Sequence, residues 1–168
     1  FDPDSEILTN NLFGVDVNAE SVEIAKLSLW VKTARRGKML DSLDNNIKVG
    51  DSLIEDSSFA YLEHGFSWKT AFPQVFEDGG FDIVLGNPPY VRMEFLTAMK
   101  PYLEKRFEVA SDRADLFCYF YERGLKLLKP GGRLGYISSS SFFKTGSGKP
   151  LRDFLRTQAT LETVVDFG

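Results

Sequence analysis

The sequence predicts an α/β fold built on a parallel sheet, and three observations carry that reading. Apolar runs at Leu12–Val17 and Ile83–Leu85 read as buried strands, the second covered on both faces. Strand-like and helix-like segments alternate along the chain, the pattern of a parallel sheet with helical crossovers. Capping and stop signals such as Asn18, Gly37, Gly79-Gly80, Asp115 and Pro130-Gly131-Gly132 stand at the ends of those segments.

Each element has its own local reason. The strand Leu12–Val17 is followed by Asn18, a good N-cap, with Glu20 and Glu23 in the first turn of a helix. That helix runs to about Arg36, dense in Val22, Ile24, Ala25, Leu27, Leu29 and Trp30, and Gly37 suits its left-handed terminator. Ile47–Val49 is a second short strand leading into Gly50 and Asp51. Residues 55–80 are aromatic and polar without clear period and read as an insertion, with one short helix near Trp68–Phe76 and Gly79-Gly80 closing it. A strand at 82–86, a helix at 94–107 and a loop at 108–114 follow. Asp115 caps a helix over 116–128, which Lys129-Pro130-Gly131-Gly132 stops. A strand Arg133–Ser138, a small-residue loop Ser139–Gly148, a helix near 149–158 and a last strand near 161–166 complete the order.

Composition narrows the class. A chain of 168 residues suits one domain with a real core. Hydrophobic content of 43% and a mean hydropathy of −0.18 read as soluble and globular. No apolar run approaches the ~20 residues of a membrane span, and the polar, acidic residues 1–11 do not read as a signal peptide. One cysteine, Cys118, excludes an internal disulfide, and one histidine, His64, argues against a metal cluster. A reducing cytosolic setting fits. The net charge of −4 and pI near 5.1 lack the basic footprint of a free-standing nucleic-acid binder.

The richest stretch is Phe81–Val91. Gly86 and Asn87-Pro88-Pro89-Tyr90 follow a strand at its carboxyl end, where open α/β sheets bind ligands. Pro88 and Pro89 fix φ and remove two backbone donors, leaving nearby carbonyls free to accept. The Asn87 amide adds an acceptor and two donors, and Tyr90 a flat face. Together they make a rigid cup of acceptors beside a stacking surface, suited to a planar group bearing an exocyclic amine. A Pro-rich turn that merely ends a strand is the bland alternative.

At this point the chain resembles the amino-group methyltransferases that use S-adenosylmethionine, whose signature is Asn-Pro-Pro-Tyr. It is most similar to the N6-adenine DNA methyltransferases of restriction–modification systems, the TaqI-like group and the fused restriction–methylation enzymes. The resemblance covers nearly the whole chain: Phe13 to Asn18, Ala25 to Trp30, Gly50 to Leu53, Phe81 to Val91, Ala114 to Phe117 and Leu127 to Gly135. It implies a Rossmann-like methyltransferase fold, S-adenosylmethionine as cofactor, no metal, and DNA as partner.

The resemblance also gives roles to residues. Asn87, Pro88, Pro89 and Tyr90 would be catalytic. Asp16, at the end of the first strand, would accept from the ribose hydroxyls, with Val17 on the adenine ring. A carboxylate there is chemically apt because it only accepts, although Asp16 also suits a plain turn. Asp51 would take the cofactor's adenine amine, with Ser52 and Leu53 lining the pocket. The family places a larger residue where Ser52 stands, so stacking would be weaker or come from Leu53. Leu116 would lie near the same pocket, on one helix face with Phe120, for which core packing serves equally well. Cys118 reads as core, His64 as exposed and inert, and the loop carrying Ser138–Ser141 and Lys144 to Lys149 as a solvated loop rather than a DNA contact.

Family members start with a strand and Gly-rich turn, and continue past the equivalent of Gly168 into a base-sandwiching aromatic and a recognition domain. Residues 1–11 hold no such turn. The expectation is therefore a partial catalytic domain over 1–168, with DNA gripped by parts outside it. Its sheet would lack a central strand, between the strand ending at Val17 and that ending at Gly86. Such a piece is expected to bind cofactor weakly or not at all, to be inactive alone, and to rearrange its sheet or self-associate. Methylation of RNA or of a protein glutamine, and a non-catalytic methyltransferase-like module, stay open as alternatives.

Overall fold

The computed structural model describes residues 3–34, 42–59, 65–91 and 97–167. It is an α/β protein whose strands pair in parallel, divided into two compact units at Phe72/Pro73. Among the described residues no helix is long and apolar enough to cross a membrane.

The first unit opens with α1 (Pro3–Asn10), a helix that the polar residues 1–11 did not lead us to expect. Strand β1 (Gly14–Asp16) is shorter than the apolar run Leu12–Val17, and β2 (Ile47–Val49) has the expected bounds. They pair in parallel with Gly14 opposite Ile47 and Asp16 opposite Val49. Between them runs α2 (Ala19–Thr33), capped by Asn18, whose side chain accepts from the Ser21 amide at 2.9 Å. The helix ends three residues short of Arg36, and the proposed terminator Gly37 lies outside the described residues.

Leu8, Val22, Leu43 and Ile47 make the core of this unit, with Leu29 and Trp30 packed on it. Buried Asn46 directs its side-chain amide at the carbonyls of Thr9, Leu12 and Leu8 (2.8, 3.1 and 3.3 Å). It thereby satisfies acceptors at the end of α1 that no further helical turn supplies. Lys26 is also buried and bonds Asp44 at 2.7 Å and Glu23 at 2.9 Å. Asp44 first and Glu23 second hold its ammonium above the usual lysine range, and Lys26 in turn holds the Asp44 carboxyl low.

Among its described residues, the segment read as an aperiodic insertion holds two helices rather than one. Helix α3 (Trp68–Ala71) stops at Phe72, and α4 (Pro73–Glu77) opens the second unit. Pro73 has no amide to continue α3, which is why the single helix expected across Trp68–Phe76 breaks there. In the first unit Phe66, Trp68 and Phe72 pack edge-on or tilted at 5.5–6.3 Å, and Phe13 meets Phe72 at 5.2 Å. These aromatics are core, not an appendage. His64 lies outside the described residues.

In the second unit Gly79 and Gly80 turn with φ of 93° and 123°, and β3 (Phe81–Gly86) follows. Of the segment expected to be helical over 94–107, residues 97–107 are described; helix α5 (Lys100–Arg106) forms there, and 97–99 are turn. Helix α6 (Leu116–Leu127) has Asp115 at its N-cap position, but the Asp115 side chain makes no capping bond, contrary to expectation. The Leu116 amide is satisfied instead by the Val91 carbonyl at 2.9 Å. Strand β4 (Leu128–Tyr136) begins directly after α6 and pairs in parallel with β3. Lys129-Pro130-Gly131-Gly132 is absorbed as an irregularity opposite Asp82 rather than standing before the strand: Phe81 faces Leu128, whereas Ile83 faces Arg133. Gly131 supplies the left-handed backbone, φ 81°, that this needs.

Helix α7 (Lys149–Gln158) has the expected bounds. Two expectations fail. Strand β3 is not buried on both faces, for Ile83 and Leu85 are exposed, the latter at 78%. These two residues lie on the same face of the strand, which is therefore bare, and with one strand neighbour among the described residues one edge of β3 is open as well. The last strand does not form either: 159–167 carry neither helix nor strand, and Leu161, Val164 and Val165 are exposed. A strand without a partner edge leaves its amides unpaired and has nothing to hold it. Cys118 is core as expected, and burial pushes its thiol up to about 12.

Candidate active site

The predicted residues fall into two groups, one in each unit. In the first unit, Asp16 ends β1 and its exposed carboxylate accepts from the Asn18 amide through Oδ1 at 2.7 Å. Asn18 caps α2 at the same time, so Asp16 sets the turn while its neighbour sets the helix. Oδ2 of Asp16 has no partner among the described residues. The Gly50 amide donates to the Asp16 carbonyl at 2.9 Å, which places Gly50-Asp51 beside the end of β1. Asp51 is buried, at 7% exposure, and its Oδ1 accepts from Leu53 and Ile54 amides at 2.9 and 3.3 Å. It is thus no exposed turn carboxylate. Ser52 is half-buried and its carbonyl accepts from Trp68 Nε1 at 3.2 Å. Val17 is exposed and Leu53 is core, at 1% exposure. The end of β1 therefore offers acceptors and one apolar side chain to solvent, while Leu53 faces inward.

In the second unit, Asn87-Pro88-Pro89-Tyr90 leaves the carboxyl end of β3. Pro88 is buried and anchors the turn, while Asn87 and Pro89 are exposed. Tyr90 is 56% exposed, and its ring lies 6.5 Å from that of buried Phe117 on α6. The Tyr90 hydroxyl stands 3.2 Å from Asn87 Oδ1 and 3.3 Å from the Ile137 carbonyl. Sequence reading brought Asn87 and Tyr90 together as motif partners, and the fold joins them directly. Leu116 is buried at the start of α6, tied through its amide to Val91, one residue after the motif.

The frame behind this turn is aromatic. Tyr136 ends β4 against Gly86, where an added Cβ would come within 2.9 Å of its ring, and against Gly124, where one would come within 2.5 Å of its hydroxyl. Only residues without a Cβ let strand and helix close on that ring. The Tyr136 hydroxyl donates to the Phe120 carbonyl at 3.2 Å, and burial pushes it far above the usual tyrosine range. Tyr121 packs edge-on to Tyr136 at 5.1 Å, and its hydroxyl is 2.8 Å from Ser138 Oγ. The residues that sequence reading missed are Ile137, Tyr121 and Ser138. Ile137 meets Tyr90 across 47 positions of chain and Ser138 meets Tyr121 across 17, and no local pattern signals such contacts.

The chain is similar to known proteins. The Eco57I restriction-modification methylase family matches residues 10–168. The Type II restriction enzyme and methyltransferase RM.Eco57I of Escherichia coli is 32% identical across all of this chain, which corresponds to 18% of that protein. The Type II methyltransferase M.XhoI of Xanthomonas vasicola is 46% identical over 51% of this chain and 16% of its own length. The Type II methyltransferase M.HincII of Haemophilus influenzae is 28% identical over 83% of this chain and 28% of its own. The chain spans less than a third of each of these relatives. With the match extending from Asn10 to Gly168, the chain belongs to the Eco57I restriction-modification methylase family.

Proposed function

We propose that the full-length protein transfers a methyl group from S-adenosylmethionine to the exocyclic N6 amine of adenine in DNA, within a restriction–modification or defence system. The observation that carries this is Asn87-Pro88-Pro89-Tyr90 at the carboxyl end of a parallel strand, with the Asn87 amide and the Tyr90 face both open to solvent. The sheet is taken as part of a Rossmann-like methyltransferase fold. Membership in the family supports the same reading, as does the likeness to the methyltransferases RM.Eco57I and M.XhoI.

Each chain group has a task in this scheme. The adenine leaves the base stack, at a cost of a few kcal/mol. The Asn87 side-chain carbonyl and the Pro88 backbone carbonyl accept the two amine hydrogens and so turn the nitrogen lone pair outward. Tyr90 stacks on the ring. Acceptors already in place give positioning and electrostatic stabilisation without reorganisation. The carboxylates of the first unit fit a nucleoside cofactor: Asp16 has an open oxygen for ribose hydroxyls, and Asp51 is a fixed acceptor for an adenine amine. Val17 and Ser52 would flank that nucleoside. Leu53, buried in the first unit, would back that nucleoside from within rather than stack on it, and Leu116, buried in the second unit, stands behind the Asn87–Tyr90 turn. When bound, S-adenosylmethionine supplies an electrophilic methyl group on a sulfonium. DNA would be gripped outside these residues, whose net charge is −4. The lone, buried Cys118 accords with a cytoplasmic setting.

The test is transfer of tritiated methyl groups by the full-length protein to duplex DNA, RNA and release-factor protein in parallel. Label in DNA, located on N6 of adenine by nucleoside analysis, is the expected result. Label only in RNA or protein overturns the DNA assignment. No label in any, with cofactor still bound, favours a non-catalytic module.

A further inference from the structure

The Tyr90 hydroxyl has one proton and two acceptors at nearly the same distance, Asn87 Oδ1 at 3.2 Å and the Ile137 carbonyl at 3.3 Å. Both are long for a hydroxyl donor, as befits one proton shared between two oxygens. While Tyr90 holds Asn87, it occupies one of the two lone pairs of the oxygen that the proposed reaction needs. An amine that approaches Asn87 Oδ1 competes with the hydroxyl there, and the Ile137 carbonyl is the protein acceptor already within the hydroxyl's reach.

Ile137 is built to receive it. Its amide donates to the Gly86 carbonyl at 3.1 Å, continuing the β3–β4 ladder one step beyond Tyr136. Its own side chain is exposed and anchors nothing. The next residue does the anchoring: Ser138 Oγ bonds the Tyr121 hydroxyl at 2.8 Å. Tyr121 is a fixed point on α6, its ring in contact with Tyr136 at 5.1 Å and Phe142 at 5.7 Å. The Ile137 carbonyl and the Ser138 amide share one rigid peptide plane, so holding Ser138 sets the direction of the carbonyl. Burial raises the Tyr121 hydroxyl above its usual range, which keeps it protonated in the pair.

We propose that Tyr121 and Ser138 are positioning residues for Tyr90. They act through the Ile137 carbonyl, which takes over the Tyr90 hydroxyl when a substrate amine claims Asn87. This rests on the reading of Asn87 given above. The ring of Tyr90 stays in stacking position while its hydrogen bond moves from Asn87 to Ile137, and no proton leaves any residue. The plainer role for Tyr121 and Ser138 is a staple between α6 and β4, which would be indifferent to the state of Tyr90.

The experiment separates the two in the full-length protein, using single-turnover methylation of duplex DNA and calorimetric affinity for S-adenosylmethionine. Tyr121→Phe and Ser138→Ala should each slow transfer about 3- to 10-fold, the span of one neutral hydrogen bond, with cofactor affinity unchanged. The double variant should lose no more than either single one, and Ser138→Thr should keep the rate. In a Tyr90→Phe background, Tyr121→Phe should change nothing further. Full activity of Tyr121→Phe, or an equal loss in both backgrounds, overturns the proposal. A second readout needs no turnover: in fluorotyrosine-labelled protein the Tyr90 fluorine resonance should shift or broaden on Tyr121→Phe, and an unmoved line overturns the positioning role. Absence of any methyl transfer to DNA by the unmutated protein instead refutes the proposed function, and the fluorine measurement still decides the link between Tyr121 and Tyr90.

Discussion

The Tyr90 hydroxyl lies 3.2 Å from the side-chain carbonyl of Asn87, so the two exposed polar residues of the strand-end turn are bonded to each other. The aromatic face and the amide acceptor are therefore held as one unit, and substitutions at the two positions should be coupled rather than additive.

Asn87→Ala in the full-length protein removes the acceptor for the target amine. Methyl transfer should fall by about 100-fold or more, the scale seen when a preorganised polar group at a reacting centre is deleted. Cofactor affinity should stay largely intact. Turnover equal to that of the unmutated protein would sink the assignment.

Tyr90→Phe and Tyr90→Ala divide the tyrosine into hydroxyl and ring. The phenylalanine variant keeps stacking and should lose only the contribution of its hydrogen bonds. The alanine variant should lose a further ~1–3 kcal/mol of base binding, the usual worth of one base–aromatic stack. Titration with a duplex carrying 2-aminopurine at the target adenine reports this. Equal losses in the two variants would mean that the ring stacks on nothing.

Asp16 serves a turn as well as the proposed ribose site, so two variants are needed. Asp16→Asn keeps an oxygen for the Asn18 amide, and Asp16→Ala does not. Asp16→Ala should weaken S-adenosylmethionine binding by ~1.5–3 kcal/mol, typical of hydrogen bonds to a charged group. Asp16→Asn should weaken it less and leave the melting temperature in place. Calorimetry showing full affinity in Asp16→Ala would place the nucleoside site elsewhere.

Asn46→Leu tests the first unit. It deletes the amide that reaches the Leu8, Thr9 and Leu12 carbonyls. The expected cost is about 1–3 kcal/mol for buried acceptors left unsatisfied. Hydrogen exchange followed by mass spectrometry should show the α1 peptide opening first, ahead of β1 and β2. Unaltered protection in residues 3–12 would show that α1 is held by its apolar face alone.

Strand β3 exposes Ile83 and Leu85, and among the described residues it pairs only with β4. An open edge beside an apolar face is a template for another strand. The 168-residue chain alone should therefore self-associate, and light scattering should show a mass that rises with concentration. Replacing Leu85 with Lys should suppress this. A monomer at every concentration would show that the open edge is not sticky.

The sequence by itself determined most of the order of elements, α1 and the break at Pro73 apart, because those elements rest on nearby residues: Asn18 caps α2, Ile47 and Val49 flank Lys48 in β2, and α7 starts and stops where its pattern does. It also marked the Asn87–Tyr90 turn, since a strand followed by two prolines is a local signal. It overreached where an element depends on neighbours. Residues 161–166 have strand composition but no partner edge, and the run Ile83–Leu85 looks buried only if both faces are covered. Tertiary structure alone decided that the aromatics after residue 65 form core, that Leu53 points inward, and that Ile137, Ser138 and Tyr121 stand behind Tyr90. The contacts that fix them reach as far as 59 positions along the chain, as from Phe13 to Phe72, or 16, as from Ser52 to Trp68. Propensity and spacing act over a few residues, whereas such contacts exist only once the chain has folded back on itself and buried its apolar faces.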